Sequence, residues 1–118
     1  MLARARTNAS KSPYASRVSF VEANIISIPL PAGIADCVIS NCVVNLVPEG
    51  DKPAVFLEMA RLLKSGGQVA MSDILARKTM PEDLKSSIAL LVGCVAGASE
   101  VSFYRKWLEE AGFGGEYK

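Results

Sequence analysis

The 118-residue sequence contains no histidine. That excludes mechanisms that need an imidazole: Ser-His-Asp triads, Cys-His pairs and zinc sites with histidine ligands. An excess of one charge is missing as well. Thirteen Lys and Arg stand against twelve Asp and Glu, leaving +1 with no block of like charge. Binding through nucleic-acid phosphates calls for a basic surplus or stripe, so nucleic acid is not an expected partner. The longest nearly uncharged stretch begins at Ser86 and is diluted by Gly93, Gly97 and Ser99, too broken for a membrane span. The start, Met1-Leu2-Ala3-Arg4-Ala5-Arg6, lacks the apolar core of a signal peptide. Three cysteines (Cys37, Cys42 and Cys94), an odd number without a secretory leader, fit a reducing, cytoplasmic compartment. What is present is apolar: half of the residues are hydrophobic and 21% are charged, which excludes disorder and supports one domain with a real core.

The apolar pattern divides the chain into short elements. Met1, Leu2 and Ala5 share a helical face with no cap before them, so the first eight residues read as the end of a helix. Asn8 to Ser16 is a polar linker, Val18 to Val21 a short strand, and Ile25 to Pro31 an apolar loop. Ala35 to Ser40 is a continuous apolar strand, the kind covered on both faces of a parallel sheet. Asp51 to Lys64 reads as a helix capped by Asp51, with Pro53 in its first turn and a stripe of Val55, Phe56, Met59, Leu62 and Leu63. Ser65-Gly66-Gly67 ends it and Gln68 to Ile74 is the next strand. Thr79-Met80-Pro81-Glu82 has capping-box spacing and predicts a helix over Pro81 to Val92. Ser99 is placed to cap a last helix with Phe103, Trp107, Leu108 and Ala111 on one face and Gly112 as its stop. Strand, helix, strand makes Ala35–Ser40 and Gln68–Ile74 parallel neighbours, so the fold class is α/β: a partial, mostly parallel sheet of about three strands with flanking helices.

In such a sheet ligands bind beyond the carboxyl ends of the strands. Those ends carry Glu22-Ala23-Asn24, then Ser40 to Asn45, then Ser72-Asp73. Cys42 sits among asparagines at this edge, where a thiol serves function or merely fills space. Cys37, inside the strand, reads as buried filling. Cys94 lies in Val92-Gly93-Cys94-Val95-Ala96-Gly97-Ala98, whose small residues suit either a close backbone approach to a ligand or a tight helix contact. Asp73 at a strand end is as suited to capping the next loop.

Several of these segments resemble a known family. Glu58-x-x-Arg61-x-Leu63-Lys64-x-Gly66-Gly67, the strand ending Ser72-Asp73, and Val21 to Pro29 are similar to motifs of class I S-adenosylmethionine-dependent methyltransferases. Ser40-Asn41-Cys42-Val43-Val44-Asn45-Leu46 and Gly93-Cys94-Val95-Ala96-Gly97-Ala98 resemble two cysteine segments of arsenite methyltransferases, and Ser99 to Phe113 resembles the helix that follows there. The resemblance implies a Rossmann-like fold, S-adenosyl-L-methionine as cofactor, and arsenite or its thiol conjugates as substrate. It implies Cys42 and Cys94 as the catalytic arsenic(III) ligands. Asn41 falls where cofactor and substrate meet, and Asn24 and Ile25 in the loop over the adenine.

The family's Gly-rich turn, its acidic ribose ligand, its upstream cysteines and its last antiparallel strands have no counterpart here. Residues 1–118 are therefore expected to be a partial methyltransferase domain, a piece that binds cofactor weakly and is inactive alone. The chemistry suits a chain without histidine. Trivalent arsenic prefers thiolates and keeps a lone pair that can attack the sulfonium methyl group, so no proton has to be removed. The resemblance also leaves open another small-molecule methyltransferase of the quinone-biosynthesis type, or a non-catalytic thiol fragment that binds metalloids. Two placements follow: Cys42 and Cys94 together at the carboxyl edge with Cys37 apart and buried, and Val18–Val21 paired directly with Ala35–Ser40, the alternative being a gap that leaves apolar edges exposed.

Overall fold

The computed structural model describes residues 1–86 and 95–115. Among these, the elements in chain order are α1 (Leu2–Ser10), β1 (Ala35–Asn41), α2 (Lys52–Leu62), β2 (Leu63–Ser72), α3 (Glu82–Lys85) and α4 (Val101–Glu110). The α/β class and the parallel strand–helix–strand unit are as expected. β1 and β2 pair in parallel, with Val38 opposite Val69, Ile39 opposite Ala70 and Asn41 opposite Ser72. Ala35 pairs with Leu63 but Cys37 with Gln68, so β2 carries extra residues at its start. Gly66 turns the chain there at φ +80°, the conformation that favours glycine. Helix α2 has already ended at Leu62, so the glycines shape the entry to β2 rather than the helix terminus.

The sheet has two strands among the described residues, not three. Val18 to Val21 runs beside no ladder, and both valines are exposed. Neither the expected pairing with β1 nor a strand forms. β-branched residues favour a strand only where a pleated, half-buried surface receives them, and a lone strand has no such surface.

Burial along the strands alternates instead of being two-sided. Val38, Val69 and Met71 face the core, while Cys37, Ile39, Gln68 and Ala70 face outward. Ile39 is 81% exposed. Cys37 is therefore exposed rather than buried, because no described element covers that face of the sheet. The covered face packs on α2, whose Val55, Phe56, Met59 and Leu62 are buried at helical spacing as the sequence predicts.

Aromatic rings of α4 close the other side. Phe56 meets Tyr104 edge-on at 5.4 Å and Trp107 at 6.0 Å, and Phe103 stacks on Trp107 from the rim. Such pairs add to the area they bury. Tyr104, absent from the face read off the sequence, is the more deeply buried neighbour of Trp107, while Phe103 stays exposed.

Helix ends differ from expectation in informative ways. Asp51 makes no side-chain cap, because a single 3-10 turn over Glu49–Asp51 already leads the chain into α2. Ser99 caps nothing, its hydroxyl being taken by other groups, and Glu100 stands at the N-cap of α4. Thr79 donates to the Glu100 carboxylate at 2.6 Å instead of capping α3, which starts after Pro81. The expected helix over Pro81 to Val92 is seen for Glu82–Lys85; residues 87–92 lie outside the described residues. Helix α4 ends before Gly112 as predicted.

The core makes a direct prediction. Phe56→Ala should lower the free energy of unfolding by about 3–5 kcal/mol, the usual cost of deleting a buried ring. Ile39→Thr on the open face should change it by no more than ~0.5 kcal/mol. Urea titrations of both variants of the full chain check this, and equal losses would contradict a one-sided sheet.

Candidate functional site

Where β1 ends, the chain turns sharply. Cys42 adopts φ +52°, the only described non-glycine residue with positive φ. That conformation costs of order 1–3 kcal/mol in a residue with a Cβ and persists only where surrounding bonds enforce it. The enforcing bonds are visible. The Cys42 amide donates to the Ser72 carbonyl at 2.8 Å, and the Asn45 side-chain amide donates to the Ile74 carbonyl at 2.6 Å. The thiol loop is thus fastened to the exit of β2. Cys42 is half-buried and Asn41 exposed at the same edge.

Asn45 is 1% exposed. Its carboxamide oxygen accepts from the Tyr104 hydroxyl at 3.0 Å, which explains why α4 presents a tyrosine inward. Its backbone carbonyl lies directly beneath Gly97. A Cβ built on Gly97 would fall 1.8 Å from that oxygen, so only glycine fits. The small-residue segment around Gly97 therefore serves a close backbone approach, one of the two roles its composition allows.

A second polar group ties the same segments. Lys52, the first residue of α2, is 1% exposed. Its ammonium donates to the Glu49 carboxylate at 2.9 Å, to the Gly97 carbonyl at 2.5 Å and to the Ser99 hydroxyl at 2.6 Å. The Ser99 hydroxyl donates on to Glu49 at 2.7 Å. Burial works against ionised Glu49, yet the bonds from Lys52 and Ser99 outweigh it and lower its pKa. For Tyr104, burial and the nearby Asp73 and Glu49 charges push the pKa up, so the phenol stays a neutral donor.

Asp73 does not cap the next loop. Among the described residues both its oxygens are shielded from solvent without a hydrogen-bond partner, as is the Ser40 hydroxyl. Burial raises the Asp73 pKa. The amides of Asn45 and Val44 and the Lys52 charge act on it from nearby and offset only part of that, with no amide reaching full hydrogen-bond geometry.

The Glu58-x-x-Arg61 motif works elsewhere. Arg61 donates to both Glu58 oxygens and to the carbonyls of Ile28 and Leu30, while Glu58 accepts the Ile28 amide at 2.7 Å. The motif fixes the loop that enters β1. The Arg61 guanidinium and the Ile28 amide hold the Glu58 carboxyl down to about 2. Just upstream, the Asn24 side-chain oxygen accepts the Ile26 amide at 3.2 Å in a local turn. Ile25 and Ile26 pack on the core cluster that includes Val44, and this shared core links the turn to the Cys42 loop.

Of the residues singled out in the sequence, Asn41 and Cys42 share one edge, Ile25 packs on the core cluster that includes Val44, and Asn24 is exposed in the turn before it. Cys94 lies outside the described residues. Cys37 stands apart, five residues back along the strand or roughly 16 Å. Sequence reasoning passed over Lys52 and Tyr104. A lysine opening a helix puts a cation at the positive end of the dipole, and that mismatch was the available signal.

The chain as a whole is similar to known proteins. The family described as "Methyltransferase domain" matches residues 1–112. This chain belongs to the methyltransferase domain family. Its relatives include the arsenite methyltransferase of Halobacterium salinarum, 42% identical over 113 residues that cover 96% of this chain and 28% of that protein. The human arsenite methyltransferase is 40% identical over 88 residues, covering 71% and 23%. A crystal structure of CrArsM, an arsenic(III) S-adenosylmethionine methyltransferase from Chlamydomonas reinhardtii, superposes with TM-score 0.70 at 33% identity over 80% of this chain and 32% of that one. PigF with SAH shares the fold, with TM-score 0.65 at 19% identity over 98% and 39%. The α/β methyltransferase-domain chain thus spans about a quarter of the length of these curated relatives. Among its described residues no helix is long and apolar enough to cross a membrane.

Two predictions follow from this geometry. Gly97→Ala should destabilise the chain by roughly 1–3 kcal/mol, because the new methyl group cannot share space with the Asn45 carbonyl; a denaturation midpoint unchanged from the parent would refute the contact. The two carboxylates should respond oppositely to acid. Glu58, with its lowered pKa, adds stability above its ordinary value near 4.5 that disappears as pH falls toward 2. Asp73, with its raised pKa, costs stability once ionised; the cost fades as pH falls through the raised pKa and is gone below its ordinary 3.8. Glu58→Gln should therefore lower the melting temperature at pH 7 and converge with the parent in acid. Asp73→Asn should raise it at pH 7 and likewise converge.

Proposed function

We propose that this methyltransferase-domain chain is part of an arsenite methyltransferase, in which Cys42 and Cys94 bind trivalent arsenic and S-adenosylmethionine supplies the methyl group. The observation that carries the reading is the approach of Gly97 to Asn45. Each of these residues lies three positions beyond a cysteine in the sequence, and the contact ties Gly97 to the segment that carries Cys42. The extensive similarity to arsenite methyltransferases supports the same chemistry.

Arsenic held by thiolates keeps a lone pair, and no residue has to act as base. The absence of histidine, and a Tyr104 held in its neutral form, agree with that demand. Soft metalloid and thiolate match in kind, and arsenite or a thiol conjugate is the small-molecule substrate. The strained turn at Cys42 fixes the direction of one ligand before arsenic arrives.

The cofactor fits this chain only in part. Ile25, half-buried and next to Asn24 in the sequence, gives an apolar surface suited to an adenine. The sequence has no Gly-rich turn for the amino-acid end and no acidic partner for the ribose. Residues 1–118 are accordingly one portion of the domain, binding arsenic but turning over nothing alone, in a reducing cytoplasmic setting.

Titration with phenylarsine oxide tests the metalloid site. The two As–O bonds of its hydrated form exchange for two As–S bonds, releasing two waters. One equivalent should bind tightly, with the affinity lost in Cys42→Ser and in Cys94→Ser and kept in Cys37→Ser. Calorimetry with S-adenosylmethionine should give binding weakened by several orders of magnitude, since polar anchors of a small ligand carry much of its affinity. Binding that survives both cysteine substitutions would instead favour a quinone-type methyltransferase.

A further inference from the structure

From the Lys52 network we infer that Lys52 is a positioning residue for the metalloid site: its ammonium fixes the segment 97–99 against the loop that carries Cys42. The inference rests on the proposed arsenic chemistry and adds a residue to it.

A lysine at this place needs a reason. It opens α2, where the helix dipole disfavours a cation, and it is withdrawn from water, where a charge is expensive. Both penalties are offset by three acceptors from two separate parts of the chain. Glu49 belongs to the turn before α2, while the Gly97 carbonyl and Ser99 hydroxyl lie 45 and 47 residues downstream. The lysine thus works as a clamp between the exit of β1 and the segment before α4.

The three acceptors differ in what they would lose. Glu49 is 59% exposed and can turn to water, so its pairing is not what keeps Lys52 inside. Ser99 is buried, and without Lys52 its hydroxyl would keep only the Glu49 carboxylate as a side-chain partner. The clamp is directed at 97–99, and it pulls on a contact with no slack. Gly97 already touches the Asn45 backbone so closely that no methyl group fits between them. With Asn45 bonded to Ile74 and Cys42 to Ser72, the position of residue 97 relative to Cys42 is fixed through a short bonded path. Cys42 lies on one side of this clamp and Gly97, three residues after Cys94 in the sequence, on the other, so a pair of thiol ligands gains from it. Bidentate binding exceeds single-thiol binding by the effective concentration of the second ligand, which collapses when the two are not held at the right span.

The test uses the full chain with Cys37→Ser, which removes the exposed third thiol. Phenylarsine oxide affinity is compared between this chain and the same chain with Lys52→Met or, separately, Ser99→Ala. Alkylation rates of Cys42 and Cys94 by iodoacetamide and far-ultraviolet circular dichroism are followed on the same samples. A folded Lys52→Met chain should alkylate at both cysteines at the unsubstituted rate yet bind phenylarsine oxide at least about tenfold more weakly. Ser99→Ala, which removes one acceptor and leaves the lysine, should lose roughly threefold. A role in stability alone would lower the melting temperature and leave the affinity of the folded chain untouched. Unchanged affinity in Lys52→Met overturns the inference, and if that chain does not fold, unchanged affinity in Ser99→Ala does so. If the chain unsubstituted at position 52 binds through one thiol only, the arsenic reading itself fails and the role of Lys52 falls with it.

Discussion

Asn45 holds three parts of this chain at one point. Its side chain spans from the Ile74 carbonyl beyond β2 to the Tyr104 hydroxyl on α4, and its backbone carbonyl carries Gly97. A buried carboxamide without partners would cost about 1–3 kcal/mol, so its bonds define the geometry as much as they stabilise it. Tyr104 has to point inward to reach it, and that sets the rotation of α4, which places Trp107 against Phe56. Gly97 has to be glycine, and the Lys52 bonds to residues 97 and 99 follow from where the glycine sits. The core and the thiol-bearing edge are therefore one construction.

Much of the fold is legible in the sequence because α2 and β2 are specified locally. Their apolar spacing and the proline in the first helical turn each have a short-range cause, whereas the glycines read as a helix stop instead shape the entry to β2. Val18–Val21 and Cys37 are the instructive misses. Both readings assumed neighbours: a partner strand for the first, a second covering layer for the other. Propensity describes what a segment can do on a pleated, half-covered surface, and whether that surface exists is decided by residues far away in sequence. The one-sided sheet, with Ile39 in the open, shows the same dependence.

The candidate site is legible in a different measure. The residue types at the strand ends mark Asn41, Cys42 and Asp73 as lying at one edge, and the parallel unit alone ensures it. What binds them is not legible, because it runs through contacts of long sequence separation: Cys42 to Ser72, Asn45 to Tyr104, Lys52 to Ser99. Ser99 illustrates the limit. Its position before α4 has every local mark of a cap, yet a buried ammonium outcompetes the helix amides for its hydroxyl, since a charge-assisted bond is about twice as strong as a neutral one.

The same edge carries costs that folding alone does not explain. Cys42 is held in a left-handed conformation, and Asp73 and Ser40 keep buried polar atoms without partners among the described residues. A sequence shaped only for stability has simple remedies: glycine at 42, or an apolar or amide side chain at 73. Strain and unsatisfied polar groups gathered within one strand-end cluster accord with the proposed site, because groups arranged for a ligand cannot also be arranged for one another. By contrast, the Glu58–Arg61 network at the loop that enters β1 is saturated, each oxygen and nitrogen with a protein partner. One group of residues is thus saturated with internal bonds, while the strand-end cluster keeps its strain and its unpaired polar atoms.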